Sequence, residues 1–164
     1  MSEAKLPEEY LPIAAKLNLP AKVGFELSEL QAKDLLQFVE WGRCCIFYAV
    51  GGGKTVVSSV KAILAGAKYK VVIVPPVLLR PWFNWLNKLS GSVLMYRGSP
   101  KQRKAMKLAD YEWVVMSHAI FRQDFTRLIT ESTFPGEVEL IVDEAQALKN
   151  AGSVLYKNVS LFSA

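Results

Sequence analysis

At 164 residues, 51% apolar and 21% charged, the chain is long enough to bury one sizeable core and too apolar for a disordered segment. No stretch approaches the roughly twenty apolar residues of a bilayer span, the acidic N-terminus lacks a signal-peptide centre, and the adjacent Cys44 and Cys45 offer neither a disulfide framework nor zinc spacing. A soluble, intracellular protein with no membrane partner is expected, and its net charge of +5 suits contact with a polyanion without specifying one.

Residues 1–24 carry Pro7, Pro12 and Pro20 and read as a loosely packed lead-in with a short helix. Helical spacing follows from Glu26 to Trp41 through Leu27, Leu30, Leu35, Leu36 and Phe38. The apolar, aromatic run 45–50 predicts a buried strand, and Val56, Val57, Val60, Ile63 and Leu64 predict a helix over 54–65 that stops at Gly66. A strand at 71–74, a turn through Pro75 and Pro76, a helix near 78–89 and a strand near 92–96 come next. Ser99-Pro100-Lys101-Gln102 has the form of a capping box with Pro at the first helical position, so a helix to about 109 is expected. Strands at 113–116 and 139–142 flank a helix near 119–130, and a last helix starts near 152. Strands without polar alternation, separated by helices, predict a mostly parallel sheet covered on both faces.

Two segments carry chemistry. Gly51-Gly52-Gly53-Lys54-Thr55 lies between the expected strand 45–50 and the helix 54–65. A strand, a glycine turn and a helix start aim unpaired backbone N–H groups at one spot, and the helix dipole adds attraction for anions. Glycines admit a phosphate close to the backbone, Lys54 brings charge to the terminal phosphates, and Thr55 offers a hydroxyl to Mg²⁺. The second segment, Asp143-Glu144-Ala145-Gln146, follows the apolar run Leu140-Ile141-Val142. Ligands of open parallel sheets bind beyond the carboxyl ends of strands; there Asp143 could hold Mg²⁺ and Glu144 could accept a proton from an attacking water. Arg97, Lys101, Arg103, Lys104 and Lys107 crowd together with no acid before Asp110, which fits either a solvated helix face or a polyanion contact.

In this order the motifs resemble the first RecA-like motor lobe of helicase superfamily two, and within it the Swi/Snf-type DNA translocases. The resemblance runs from about Leu27 to Ala164. Leu27-Ser28-Glu29-Leu30-Gln31 is similar to the family's Leu-x-x-x-Gln element, which implies that Gln31 reads adenine. The phosphate loop keeps the family's pattern at Gly51, Gly53, Lys54 and Thr55, with Tyr48 and Ala49 in place of two acids. Pro75-Pro76-Val77-Leu78-Leu79-Arg80-Pro81-Trp82, then Tyr96-Arg97-Gly98-Ser99 with Arg103 beyond, and Val114-Val115-Met116-Ser117 match three further family segments. The last match, Asp143 to Asn150, resembles the family's Asp-Glu-x-His box, with Gln146 where histidine is usual.

The resemblance implies a RecA-like P-loop NTPase domain over 25–164, with ATP and Mg²⁺ as cofactors. Gln31, Gly51, Gly52, Gly53, Lys54 and Thr55 would bind nucleotide; Thr55 and Asp143 would hold the metal; Lys54, Asp143, Glu144 and Gln146 would serve hydrolysis. Arg80, Arg97, Arg103 and Ser117 would touch a nucleic-acid backbone, duplex DNA by analogy. A second RecA-like lobe is expected to complete the site, so the isolated lobe is expected to bind ATP weakly and turn it over slowly. Two other readings stand beside the motor lobe. One is a nucleic-acid-binding or regulatory module whose nucleotide site does not turn over, favoured by Tyr48, Ala49 and Gln146. The other is an unrelated P-loop NTPase acting on small molecules.

Overall fold

The structure is a computed structural model that describes Gly24 and residues 27–49, 51–130 and 133–162. The lead-in expected over 1–24 lies, apart from Gly24, outside the described residues. The chain divides into one unit ending at Gly66 and another running from Ala67 to Ala164.

In the first unit, α1 spans Glu29–Trp41. Ser28 caps it: its Oγ accepts from Gln31 N–H at 3.3 Å, and its own N–H donates to Gln31 Oε1 at 2.9 Å. This reciprocal box satisfies two donors of the open helix end. The buried stripe is Ala32, Leu35 and Phe38, whereas Leu30, expected in it, is 63% exposed. Gly42, with φ of 69°, ends the helix. The second helix, α2, spans Lys54–Leu64 and buries Val57, Val60 and Ala62. Lys61 is also buried, and its ammonium donates to Gly42 O at 2.6 Å.

The strand expected over 45–50 is not formed in its described part: residues 44–49 are irregular. Their side chains alternate between half-buried and exposed, with Phe47 89% exposed. Apolar composition favours a strand only where a neighbouring strand accepts the backbone bonds.

The second unit is built on a four-stranded, all-parallel sheet. Its strands are β1 (Tyr69–Val74), β2 (Val93–Met95), β3 (Trp113–Ser117) and β4 (Val138–Val142), in the order β2-β3-β1-β4. Every residue of β1 and β3 is buried. Such strands have no solvent face, which is why they read as continuous apolar runs.

Helices α3 (Leu79–Leu89), α4 (Pro100–Ala105), α5 (His118–Thr130) and α6 (Val154–Phe162) connect and cover the strands. Val71, Ile73, Val114 and Met116 share one sheet face and pack with Phe121, Phe125, Leu128 and Leu155 of α5 and α6. The opposite face carries Val72, Val74 and Val115, all buried, and α3 buries Trp82, Leu86 and Leu89 against β2 and β3.

The Ser99 capping box forms as expected, but α4 stops at Ala105 rather than 109. Met106 turns extended, and a 3-10 turn at Leu108–Asp110 brings Leu108 into the core at 2% exposure. The last helix starts at Val154, after Ser153, whose Oγ accepts from Tyr156 N–H at 3.1 Å.

Register brings three strand ends to one edge. Val74 pairs with Ser117 and Ile73 with Val142, so β1, β3 and β4 end together. Asp143 N–H then donates to Ile73 O at 2.9 Å, extending the ladder by one bond. Truncating a side chain in the middle of this ladder leaves a cavity. Ile73→Ala is expected to cost about 2–5 kcal/mol by urea unfolding, while Leu30→Ala on the exposed side of α1 stays within about 0.5 kcal/mol.

Candidate nucleotide and nucleic-acid site

The glycine segment of the first unit is a tight turn into α2. Gly51 and Gly53 have φ of 78° and 84°, in the left-handed region, and Gly53 is the helix N-cap. A Cβ at Gly52 would lie 2.8 Å from Tyr48 Cβ and 3.0 Å from Ala49 O, and one at Gly53 would collide with the Gln31 amide. Gly51 and Gly53 therefore need glycine for conformation and Gly52 for space, while the flexible Gln31 amide beside Gly53 can shift. No side chain caps α2 and no acid sits in its first turn, so its start favours an anion.

Two expected nucleotide ligands lie against this turn. Lys54 Nζ donates to Tyr48 O at 3.1 Å and Ala49 O at 3.4 Å. Gln31 Nε2 donates to Gly52 O at 3.2 Å, while its Oε1 serves the α1 cap. Thr55 follows Lys54 in the first turn of α2. Tyr48, which stands where the resemblance expects an acid, donates its hydroxyl to Asp34 at 2.7 Å. Desolvation, aided by that hydrogen bond, raises the Tyr48 pKa. The neutral hydroxyl therefore persists above the ordinary tyrosine value of about 10 and is lost only as pH rises through the higher folded value.

In the second unit, the acidic pair leaves β4 in a defined conformation. Asp143 Oδ1 accepts from Glu144 N–H at 2.8 Å, and Oδ2 accepts from the Trp82 indole N–H at 2.7 Å. The His118 Nε2 lies 3.1 Å from Asp143 O. Glu144 has φ of 55°, the sole positive φ outside glycine among the described residues. A left-handed conformation at such a residue is uncommon and concentrates at functional turns. Glu144 is exposed, and its carboxylate accepts from the Gln146 amide. The Trp82 indole and the His118 ring thus each hydrogen-bond to Asp143, one at the carboxylate and one at the backbone carbonyl.

Among the described residues no three or more His, Cys, Asp or Glu gather in one place. Thr55 in the first unit and Asp143 in the second each carry a hard oxygen donor of the type that Mg²⁺ accepts.

The expected nucleic-acid residues divide into two kinds. Arg80, at the start of α3, and Arg97, after β2, are exposed. Arg103 is 4% exposed and faces inward. Its Nε and Nη2 grip Asp124 at 2.7 and 2.9 Å, and its Nη1 donates to Gly98 O at 2.5 Å. That hydrogen bond to Asp124 raises the Arg103 pKa against the opposing effect of burial. Tyr96 OH donates to Asp124 at 2.5 Å, and the Arg127 guanidinium binds the Tyr96 hydroxyl and stacks over its ring. Ser117 is also buried, with Oγ accepting from Ile120 N–H at 3.2 Å at the start of α5. Arg103 and Ser117, expected to touch a nucleic-acid backbone, are thus both buried and bonded within the lobe. A buried bidentate pair and a helix-start acceptor are committed to the fold, which leaves Arg80 and Arg97 as the exposed cations of that set.

Among the solved structures that match the chain is the Sulfolobus solfataricus SWI2/SNF2 ATPase core in complex with dsDNA. It aligns over 82% of this chain at 25% identity and a TM-score of 0.68. This chain has the fold of a Swi/Snf-type RecA-like motor lobe. The lobe spans 29% of the Sulfolobus chain. No protein-family model and no curated protein matches the sequence. No helix among the described residues is long and apolar enough to cross a membrane.

The two kinds of arginine predict different losses. Arg103→Ala removes the bidentate partner of the half-buried Asp124 carboxylate, which keeps Tyr96 and Arg127, and is expected to cost about 1.5–3 kcal/mol in chemical denaturation. Arg97→Ala is expected to change stability by no more than about 0.5 kcal/mol.

Proposed function

We propose that this lobe binds ATP with Mg²⁺ and belongs to a motor that couples ATP hydrolysis to movement along duplex DNA. The observation that carries the reading is the glycine turn at the start of α2, in a chain whose Asp143 and Glu144 leave the carboxyl end of a parallel strand and whose fold matches a SWI2/SNF2 ATPase core.

In this reading the turn at Gly51, Gly52 and Gly53 and the first N–H groups of α2 receive the phosphates. Lys54 leaves the carbonyls of Tyr48 and Ala49 for the terminal phosphates, a stronger partner for an ammonium than neutral oxygens. Gln31 trades Gly52 O for the adenine edge. Thr55 and Asp143 hold Mg²⁺, which when bound neutralises charge on the phosphates. Glu144 orients the attacking water and takes its proton, and the Gln146 amide holds the Glu144 carboxylate in place.

Arg80 and Arg97 contact the DNA backbone by charge, so binding is sensitive to salt and indifferent to sequence. A second RecA-like lobe supplies the remaining charge for phosphoryl transfer, and opening and closing of the two lobes drives movement. Swi/Snf likeness supports an intracellular setting, cytoplasm or nucleoid/nucleus, in preference to a secreted one. The alternative reading, a nucleic-acid-binding or regulatory module without turnover, is favoured by the way Lys54 and Gln31 both turn onto the loop's own carbonyls.

Titration of a fluorescent ATP analogue, with and without duplex DNA, separates the two. Lys54→Ala is expected to weaken nucleotide binding by about tenfold or more, equivalent to about 1.4 kcal/mol. Arg80→Ala is expected to reduce the slope of log affinity for DNA against log salt by about one contact. Salt-sensitive DNA binding with no detectable nucleotide binding would favour the non-hydrolysing module.

A further inference from the structure

Trp82 is 3% exposed in the first turn of α3, and its ring is part of the packing against the sheet. Its one polar atom is the indole N–H, a donor with no accepting capacity. That donor meets Asp143 Oδ2 at 2.7 Å, the short range of a charge-assisted bond. Burial alone does not demand such a partner: Trp113, 0% exposed in β3, has an indole nitrogen with no hydrogen bond. The other Asp143 oxygen is held by the N–H of the next residue, a local contact. The Trp82 bond is long-range, joining α3 to the end of β4 across the sheet edge. Together the two donors fix the plane of the carboxylate, and each oxygen keeps a lone pair for a further partner.

We propose that Trp82 is a positioning residue that aims Asp143 at the divalent ion of a bound nucleotide and ties that carboxylate to the Arg80 end of α3. The inference rests on the reading of Asp143 as the magnesium carboxylate. Its consequence is selective. Without the indole donor, the carboxylate hangs on its own backbone, and the metal-dependent part of nucleotide binding falls. The part supplied by Lys54 and the glycine turn does not.

The test measures dissociation constants of a fluorescent ATP analogue in Mg²⁺ and in EDTA on the whole chain. Trp82→Phe is expected to lower the Mg²⁺-to-EDTA affinity ratio by about tenfold, the lower end of losses on removing an outer-shell partner, with affinity in EDTA unchanged. Leu86→Ala, a fully buried truncation on the same helix, is expected to destabilise the lobe and keep the wild-type ratio. Should Trp82→Phe not fold, the benzothienyl analogue of tryptophan at position 82 keeps the bicyclic ring and removes only the donor, with the same expected loss. A wild-type ratio in the variant lacking the donor, or an equal loss in Leu86→Ala, overturns the inference. A wild-type chain that binds the analogue with no response to Mg²⁺ overturns the reading of Asp143 as well, which separates the two failures.

Discussion

The parallel ladder that runs through β1 is the constraint on which the second unit rests. That strand pairs with β3 on one side and β4 on the other, and none of its residues has a solvent face. In such a strand the backbone groups must be satisfied by neighbours, and a slip of one position would exchange the two faces. The register is therefore tightly specified, and the positions of the strand ends follow from it. Ser117, Pro75 and Asp143 fall at one edge because Val74, Ser117, Ile73 and Val142 are paired. The chemistry at that edge is inherited from packing several residues away.

Polar side chains at the same edge are organised by burial. Asp124 is shared by Arg103 and Tyr96, with Arg127 close by, so a carboxylate, two guanidinium groups and a phenol neutralise and hydrogen-bond one another. A network of this kind stabilises only when every member is satisfied. Here it locks the segment after β2, holding Gly98 O through Arg103, and leaves Arg97 pointing out of the same segment. Asp143 follows the same logic on a smaller scale, with a buried indole on one oxygen and its neighbour's N–H on the other.

How far the sequence was legible depended on the range of the interaction. Buried parallel strands read as unbroken apolar runs, so β1, β3 and β4 were found to within two residues at each end. The Ser99 capping box was equally visible, because both partners lie within one turn. The run 45–50 misled, since a single chain segment does not reveal whether a neighbouring strand is present to pair with it. The inward turn of Arg103 was hidden for a related reason: five cations within eleven residues look alike, and the acid that draws one of them inward lies 21 positions away. The Trp82–Asp143 bond spans 61 positions, and nothing local to either residue announces it. Glycine positions were the opposite case, because the turn into α2 constrains Gly51, Gly52 and Gly53 through their own conformation and immediate neighbours.

The proposed function requires the glycine turn of α2 and the acidic turn after β4 both to respond to one nucleotide. Amide hydrogen exchange on the whole chain, followed by mass spectrometry with and without Mg²⁺ and ATP, tests it most directly. The account predicts slowed exchange on ligand addition in peptides covering 51–56 and in peptides covering 142–146, with the slowing at 142–146 abolished when Mg²⁺ is replaced by EDTA. Protection confined to one of the two segments, or to neither, would contradict it.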